Sequence, residues 1–305
     1  MQALQGLSRF VVRAQILILA TITQLVLGAC AVGPEHQVLR DAGDPVELVR
    51  VPFFPQDEYQ CGPAALATVL THSGVDVTPA QLVSHVYVPD RRGSLQAEML
   101  AATRSHGRVP YVLPENLAPI LAELRDGHPV LLLQNLGLAR WPVWHYAVLV
   151  GFDPAAEKVL MRSGITRRAE REAVPFLASW DRGGRWAMIA VEAGEPPASA
   201  DVLGWLRAVA PFESTGNLEL AAEGYTAAVA RWPREPMAWT ALGNVRYLQR
   251  DLAAAAAAYR HALELEPGFH TARNNLAQTL AELAAAGDAP GQDTTAGSIE
   301  SVGSR

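Results

Sequence analysis

The sequence predicts an α+β domain followed by an all-α domain, and three observations support this order. Helical patterns come first and a block of strand patterns follows, an arrangement typical of helices packed on an antiparallel sheet. After a Pro-containing linker, a spacing of 34 residues recurs, which is typical of stacked helical repeats. The 305 residues suit two domains, and half of them are hydrophobic, so both domains can bury a core.

The elements of the first domain follow from periodicity and from capping residues. Helices are predicted at 61–72, 79–85, 95–106 and 115–125, several of them beginning at a capping residue or proline and ending at glycine. Strands are predicted at 130–134, 144–152, 158–161 and 185–191, with a short helix around 175–180. The domain is therefore expected over residues 50–193, followed by the linker GEPPASAD at 194–201.

The second domain is expected over residues 202–286. Residues recur 34 positions apart in the pairs Trp205 and Trp239, Ala221 and Ala255, Tyr225 and Tyr259, Ala228 and Ala262, and Pro233 and Pro267. Residues 239–267 resemble the tetratricopeptide pattern, and a third first helix follows and stops. About two and a half repeats are too few to be stable alone, so a neighbour is expected, either the first domain or a protein partner. An Ala-rich helical hairpin is the alternative, and residues 287–305 are expected to be disordered.

The first thirty residues predict an export signal that ends at a cysteine. Arg9 and Arg13 precede the uncharged stretch AQILILATITQLVLGAC, whose apolar part has the length of a signal-peptide core. Its end, LGAC at 27–30, resembles the lipobox of bacterial lipoproteins, in which the cysteine, here Cys30, is lipid-modified. The resemblance implies a signal peptide at 1–29, a tether at 30–49 and a lipid anchor in the bacterial cell envelope. Ala31 favours the outer membrane, facing the periplasm; a retained spanning helix is the alternative.

Charge and motifs exclude several classes of function. The net charge is −6, and nucleic-acid binding demands a basic surface, so no nucleic-acid partner is expected. The sequence has no Cys-x-x-Cys pair, no Gly-x-Ser-x-Gly elbow and no phosphate-binding glycine loop. We therefore expect neither a metal nor a cofactor.

Cys61 stands where a reactive thiol is best stabilised. It begins a predicted helix, with Pro63 in the first turn, where a missing N–H costs nothing. Unpaired N–H groups and the helix dipole favour a thiolate there, so the pKa of Cys61 is expected below the usual value of about 8.5. If Cys30 carries lipid, Cys61 is the only free thiol of the exported chain. A buried structural cysteine is the alternative.

A thiolate nucleophile needs a proton partner, and His145 is the strongest candidate among the eight histidines. The others lie in the tether, at helix ends, in a turn or in the repeats. His145 instead lies at the start of the apolar predicted strand WHYAVLVGFD. A core histidine is the alternative, although pairing with Cys61 favours the catalytic role.

The motifs QDEYQCGP and WHYAVLVGFD, in this order, resemble the bacteriocin-processing cysteine peptidases, the papain-like family that removes double-glycine leader peptides. The similarity covers roughly residues 51–191 and is strongest to the stand-alone branch, some exported members of which carry tetratricopeptide repeats. The resemblance implies a papain-like cysteine peptidase fold and a peptide or protein substrate.

The resemblance also implies roles for individual residues. Cys61 would be the nucleophile, and His145 the general base and then the acid. Gln56 would place its side-chain amide in an oxyanion hole beside the backbone N–H of Cys61. Apart from the resemblance, we expect Trp141 and Trp144 to line the substrate groove, with simple packing of these aromatics as the alternative.

The acidic residue that orients the histidine in relatives has no counterpart here. Asp153 lies eight residues along the strand from His145, roughly 26 Å away, too far to touch the ring. Ser163 best matches the acidic position, and Asn135 is the alternative because it ends the preceding strand at the same edge. Two other functions therefore stay open: a weak or inactive peptidase-like scaffold that binds partners through the repeats, and thiol-dependent acyl or amide transfer.

Overall fold

The computed structural model describes residues 33–56, 60–91 and 93–287. The predicted signal peptide, Cys30 and nearly all of the expected disordered tail lie outside these residues. The chain divides into two compact units, one of Met1–Ala102 with Val112–Ile189 and the other of Thr103–Tyr111 with Ala190–Arg305. No helix among the described residues is both long enough and apolar enough to cross a membrane.

The predicted fold class is confirmed: α+β elements come first and an all-α region follows. The helices up to residue 182 are α1 (Pro34–Arg40), α2 (Cys61–His72), α3 (Pro79–Val86), α4 (Gln96–Ser105), α5 (Leu117–Arg125) and α6 (Ala173–Arg182). The strands are β1 (Val46–Glu47), β2 (Tyr87–Val88), β3 (Gly93–Ser94), β4 (Val109–Val112), β5 (Val130–Asn135), β6 (Trp144–Asp153), β7 (Lys158–Ser163), β8 (Thr166–Glu172) and β9 (Ala187–Val191).

The sheet of the first unit is antiparallel, with the strand order β9-β5-β6-β7-β8, and β1 also pairs with β6. Strands β5 and β6 pair so that Gln134 lies opposite His145 and Asn135 lies opposite Trp144. Both strands are near-continuous apolar runs, because both of their faces are covered. Helix α2 packs against β6, and α6 packs against β5. This packing brings the start of α2 to the start of β6.

Two segments of the first unit differ from the sequence-based expectation. A tether was expected through residue 49, whereas α1 and β1 are ordered and Leu39 is fully buried. Seven residues with one buried apolar position leave too little periodicity to recognise. Strand β8 was not predicted, because six of its seven residues are exposed and polar, as at the open edge of a sheet.

The second unit consists mainly of paired helices: α7 (Val202–Ser214), α8 (Leu218–Arg231), α9 (Pro236–Leu248), α10 (Leu252–Leu265) and α11 (His270–Gly287). The recurring alanines and tyrosines are buried in its core. Trp205 is fully buried and its indole N–H donates to the carbonyl of Gly224 at 2.8 Å. A Cβ built at Gly243 would lie 2.4 Å from the ring of Tyr259, so glycine at this position allows α9 and α10 to approach closely.

Candidate active site

A cleft of about 920 Å³ opens in the first unit at the start of α2 and β6. Its lining includes five residues of the predicted site and its surroundings: Gln56, Cys61, Trp144, His145 and Gly164. The fold therefore brings together the two motifs, which are 84 residues apart in the chain. Of the tryptophans expected in the groove, Trp144 lines the cleft; Trp141 is not among the lining residues.

Cys61 is the first residue of α2 and is partly buried. Its thiol accepts hydrogen bonds from the backbone N–H groups of Tyr146, Gly62 and Cys61 itself, all of which lower its pKa. Burial outweighs them and raises the pKa of the Cys61 thiol above its ordinary value. The expectation of a lowered pKa is therefore wrong in direction, because the helix N-terminus lies inside the protein, where a charged sulfur loses its hydration.

The contact between the thiol and the Tyr146 N–H places the sulfur beside the residue that follows His145. Tyr146 is held in turn by its hydroxyl, which donates to the carbonyl of Ser94 at 3.3 Å, and by an edge-to-face contact with Trp186. Strand β6 thus supplies the candidate base, His145, and its next residue, Tyr146, contacts the candidate nucleophile through the backbone N–H.

His145 is partly buried, and its Nε2 lies 2.9 Å from the hydroxyl oxygen of Ser163. When Nε2–H donates to Ser163, Nδ1 carries the lone pair and is the nitrogen available to take a proton. The pKa of His145 is lowered, first by burial and then by the positive charge of Arg171. A hydroxyl thus stands in the orienting position, and no carboxylate among the described residues counteracts these effects.

The raised pKa of Cys61 and the lowered pKa of His145 together favour a neutral thiol beside a neutral imidazole. A preformed thiolate–imidazolium pair is disfavoured in this arrangement. The chemistry open to such a pair is general-base catalysis, in which the thiol loses its proton as the sulfur attacks.

Gln56 is held by two hydrogen bonds to Gly164. Its backbone N–H donates to the Gly164 carbonyl at 3.1 Å, and the Gly164 N–H donates to Gln56 Oε1 at 3.2 Å. Because Oε1 is occupied, the side-chain NH₂ remains as a donor in the cleft. Gly164 has a φ of +59°, a conformation that suits glycine.

Asn135, the alternative orienting residue, makes different contacts. Its Oδ1 accepts from the N–H groups of Gly137 and Val143 at 3.0 and 2.9 Å. These bonds close the loop between β5 and β6, so the amide stabilises that loop. Asp153 accepts from the N–H of Ala156 in the turn after β6, at the far end of the strand from His145.

Sequence reasoning missed two structural features of the site. Gly62 is required because a Cβ there would lie 2.1 Å from the hydroxyl oxygen of Ser94. Arg171 affects His145 from β8, a strand that was not recognised. The Cys-Gly-Pro run was a signal for the first feature, whereas no local pattern pointed to the second.

Outside the cleft, the described residues hold one group able to offer three metal-ligating atoms, Glu123, Asp126 and His128. His128 Nδ1 lies 2.8 Å from the buried carboxylate of Glu123, and the His128 backbone N–H donates to the Glu123 carbonyl at 2.8 Å. These contacts fix the turn between α5 and β5, which accounts for the cluster without an ion.

Comparison with known families gives a match over residues 48–188 to the model described as the Peptidase_C39 like family. The match supports a C39-peptidase-like domain over residues 48–188. The match covers the α2 and β6 motifs and confirms the resemblance seen in the sequence. A search of curated proteins finds no match.

Among solved structures, one similar chain is a double-glycine motif protease from an AMS/PCAT transporter, crystallised with its leader peptide. It is 22% identical with a TM-score of 0.36, and the match covers 48% of this chain and 96% of that one. A C39-like peptidase from Bacillus anthracis is 18% identical with a TM-score of 0.41, covering 49% and 98%. The Sgt2 tetratricopeptide domain from Aspergillus fumigatus is 24% identical with a TM-score of 0.29, covering 34% and 72%.

Proposed function

We propose that this chain is a lipid-anchored cysteine peptidase of the bacterial cell envelope, with Cys30 as the lipidation site. It hydrolyses peptide bonds of a protein or peptide substrate, and its repeats recruit a protein partner. The outer membrane, on its periplasmic side, is the proposed location. The observation that carries the catalytic part is the cleft that contains Cys61, His145 and Gln56, with His145 bonded to Ser163.

In the proposed reaction, Nδ1 of His145 takes the thiol proton while the Cys61 sulfur attacks the peptide carbonyl carbon. The carbonyl oxygen becomes an oxyanion, which accepts hydrogen bonds from the Gln56 amide and the Cys61 N–H. The C–N bond then breaks as the imidazolium protonates the leaving amine. Water, deprotonated by His145, attacks the thioester, and the thiol leaves with the proton.

A second candidate is a peptidase-like scaffold with little activity. The hydroxyl of Ser163 in the orienting position, the nearby charge of Arg171 and the raised pKa of Cys61 favour it. Acyl or amide transfer is a third candidate, because it shares the thioester and differs only in whether water or an amine attacks it.

Cleavage of envelope proteins tests the proposal directly. The wild type and the Cys61→Ala variant are incubated with an envelope extract, and new N-termini are labelled and identified by mass spectrometry. The peptidase account expects new N-termini with the wild type alone. Identical termini in both samples would support the scaffold, and new amide links in place of new termini would support transfer.

A further inference from the structure

Six large apolar side chains close in sequence to residues that line the cleft are more than half exposed. They are Leu136, Leu138, Trp141, Val143, Trp144 and Ile165, with exposed fractions from 53% to 84%. We call these six side chains the apolar rim. Contiguous exposed apolar groups of this size mark interaction surfaces in soluble proteins.

The apolar rim lies at one end of the sheet in the first unit. Five of its members follow Asn135, in the loop from β5 to the first residue of β6. The base of that loop is fixed by hydrogen bonds from the N–H groups of Gly137 and Val143 to the side chain of Asn135. The sixth, Ile165, lies in the turn between β7 and β8, two residues after Ser163, which contacts His145. The rim is therefore presented by hydrogen-bonded connections at the end of the sheet where the site lies.

The composition of the rim suits a bilayer surface. Tryptophan and aliphatic side chains beside a cation are typical of protein segments at the membrane interface. Arg140 is the only charged residue from 136 to 144, and its guanidinium lies 5.4 Å from the centre of the Trp141 ring. This stretch contains no carboxylate that anionic lipid would repel.

Contacts of Glu35 connect the first turn of α1 to residues near the rim loop. The Glu35 carboxylate accepts from the Leu117 N–H at 2.7 Å and pairs with Arg185 at 3.2 Å. Arg182, which precedes Arg185 by three residues, donates to the carbonyl of Asn135 at 3.2 Å. Glu35 is thereby connected to the base of the rim loop.

The same turn of α1 and its last residue also contact the opposite end of the sheet. His36 and Arg40 contact Glu157, in the turn between β6 and β7, at 2.8 and 3.4 Å. Helix α1 therefore connects to both ends of the sheet, and the described chain begins at Gly33, two residues before Glu35. Cys30 is three residues before Gly33, at most roughly 11 Å of extended chain.

We propose that the apolar rim docks on the phospholipid surface to which the chain is anchored, so that the cleft opens at the membrane. The inference rests on the anchor in the proposed function. A bilayer suits the rim better than a soluble apolar peptide, because the proposed anchor at Cys30 precedes the described chain by only three residues, and because the rim loop combines tryptophan with a cation and no carboxylate. The substrate class that follows is a peptide segment held at the membrane surface.

The test uses the full-length protein, processed and reconstituted into phosphatidylglycerol-containing vesicles whose acyl chains carry bromine, which quenches nearby tryptophan. Flotation of the vesicles reports the anchor, and quenching reports the rim. Two of the seven tryptophans lie in the rim, so quenching of roughly two sevenths of the emission is expected if all emit equally. The Trp141→Phe variant keeps the rim apolar and should lose about half of that quenching.

A matched pair of charge variants separates docking from anchoring. Leu138 is 65% exposed in the rim, whereas Val174 is 57% exposed in the first turn of α6. The residue before Val174, Ala173, donates its N–H to the carbonyl of Glu157, at the end of the sheet opposite the rim. Leu138→Glu should float but lose the quenching, whereas Val174→Glu should float and keep it. Unchanged circular dichroism shows that both variants fold.

The outcomes separate the two proposals. Failure of the wild type to float would overturn the anchor and the docking together, but not the cleavage chemistry, which the Cys61→Ala comparison measures. Flotation with no more quenching than in Leu138→Glu would overturn docking alone. An apolar peptide that then protects the rim tryptophans from a soluble quencher would identify the occupant as a peptide.

Discussion

Replacing Ser163 with aspartate should convert the neutral Cys61–His145 pair into an ion pair. The Ser163 oxygen lies 2.9 Å from His145 Nε2, so a carboxylate in its place can accept the same hydrogen bond. The new negative charge opposes the two effects that lower the pKa of His145, burial and the charge of Arg171. The resulting imidazolium stabilises a thiolate at Cys61.

The magnitude follows from the geometry. An opposite charge in direct contact raises the pKa of an imidazole by about 1–3 units, and each unit corresponds to about 1.4 kcal/mol. If the pKa of the Cys61 thiol falls by about 2 units in response, the thiolate fraction near pH 7 rises about a hundredfold. Each thiolate becomes less nucleophilic as its pKa falls, so the net gain in alkylation rate is about tenfold.

The assay is the rate of iodoacetamide modification of Cys61 as a function of pH. In the wild type, burial raises the pKa of Cys61, so the rate should increase only above about pH 8.5. The Ser163→Asp profile should have an inflection at least one unit lower. Ser163→Ala is the control, because it removes the hydrogen bond without adding charge and should keep the high inflection. Superimposable aspartate and alanine profiles would refute the role of residue 163.

Three further predictions concern neighbouring residues. The Gln56→Glu side chain still accepts from the Gly164 N–H but cannot donate to an oxyanion. Turnover should therefore fall about 10²–10³-fold while the melting temperature stays unchanged. A parallel loss of stability would contradict the oxyanion role. Gly62→Ala should lower the free energy of unfolding by about 1–3 kcal/mol in urea titrations, because its Cβ would lie 2.1 Å from the Ser94 Oγ. Adding Ser94→Gly should restore the stability. No effect of Gly62→Ala would contradict the close approach. The lowered pKa of His145 favours folding while the ring is neutral, so this stabilisation is present above about pH 6.5 and is lost as pH falls through the folded pKa. Acidification should therefore destabilise the wild type more than His145→Gln, and equal pH dependence of thermal unfolding would contradict the burial of a neutral ring.

Local patterns were sufficient to locate the elements that position the site. The helix Cys61–His72 begins at a cysteine followed by glycine and proline, and its predicted bounds are those observed. Strands β5 and β6 are long apolar runs, so their positions could be predicted to within one residue. These two features are local in the chain, and hydrophobic periodicity describes them well.

Properties that depend on distant residues could not be predicted. The direction of the Cys61 pKa shift depends on how deeply the start of α2 is buried beneath the rest of the unit. The contact between Ser163 and His145 depends on the pairing of β6 with β7, and its electrostatics depend on Arg171 in a polar edge strand. Choosing between Ser163 and Asn135 likewise required knowing that Asn135 closes its own loop.

The central claim is that His145 activates Cys61 within the cleft, and the rate of alkylation by an epoxysuccinyl peptide tests it most directly. Mass spectrometry should show one adduct, on Cys61, in the wild type, and His145→Ala should slow its formation by at least about a hundredfold. Equal rates in the two proteins would show that the thiol reacts without the imidazole, which contradicts the account.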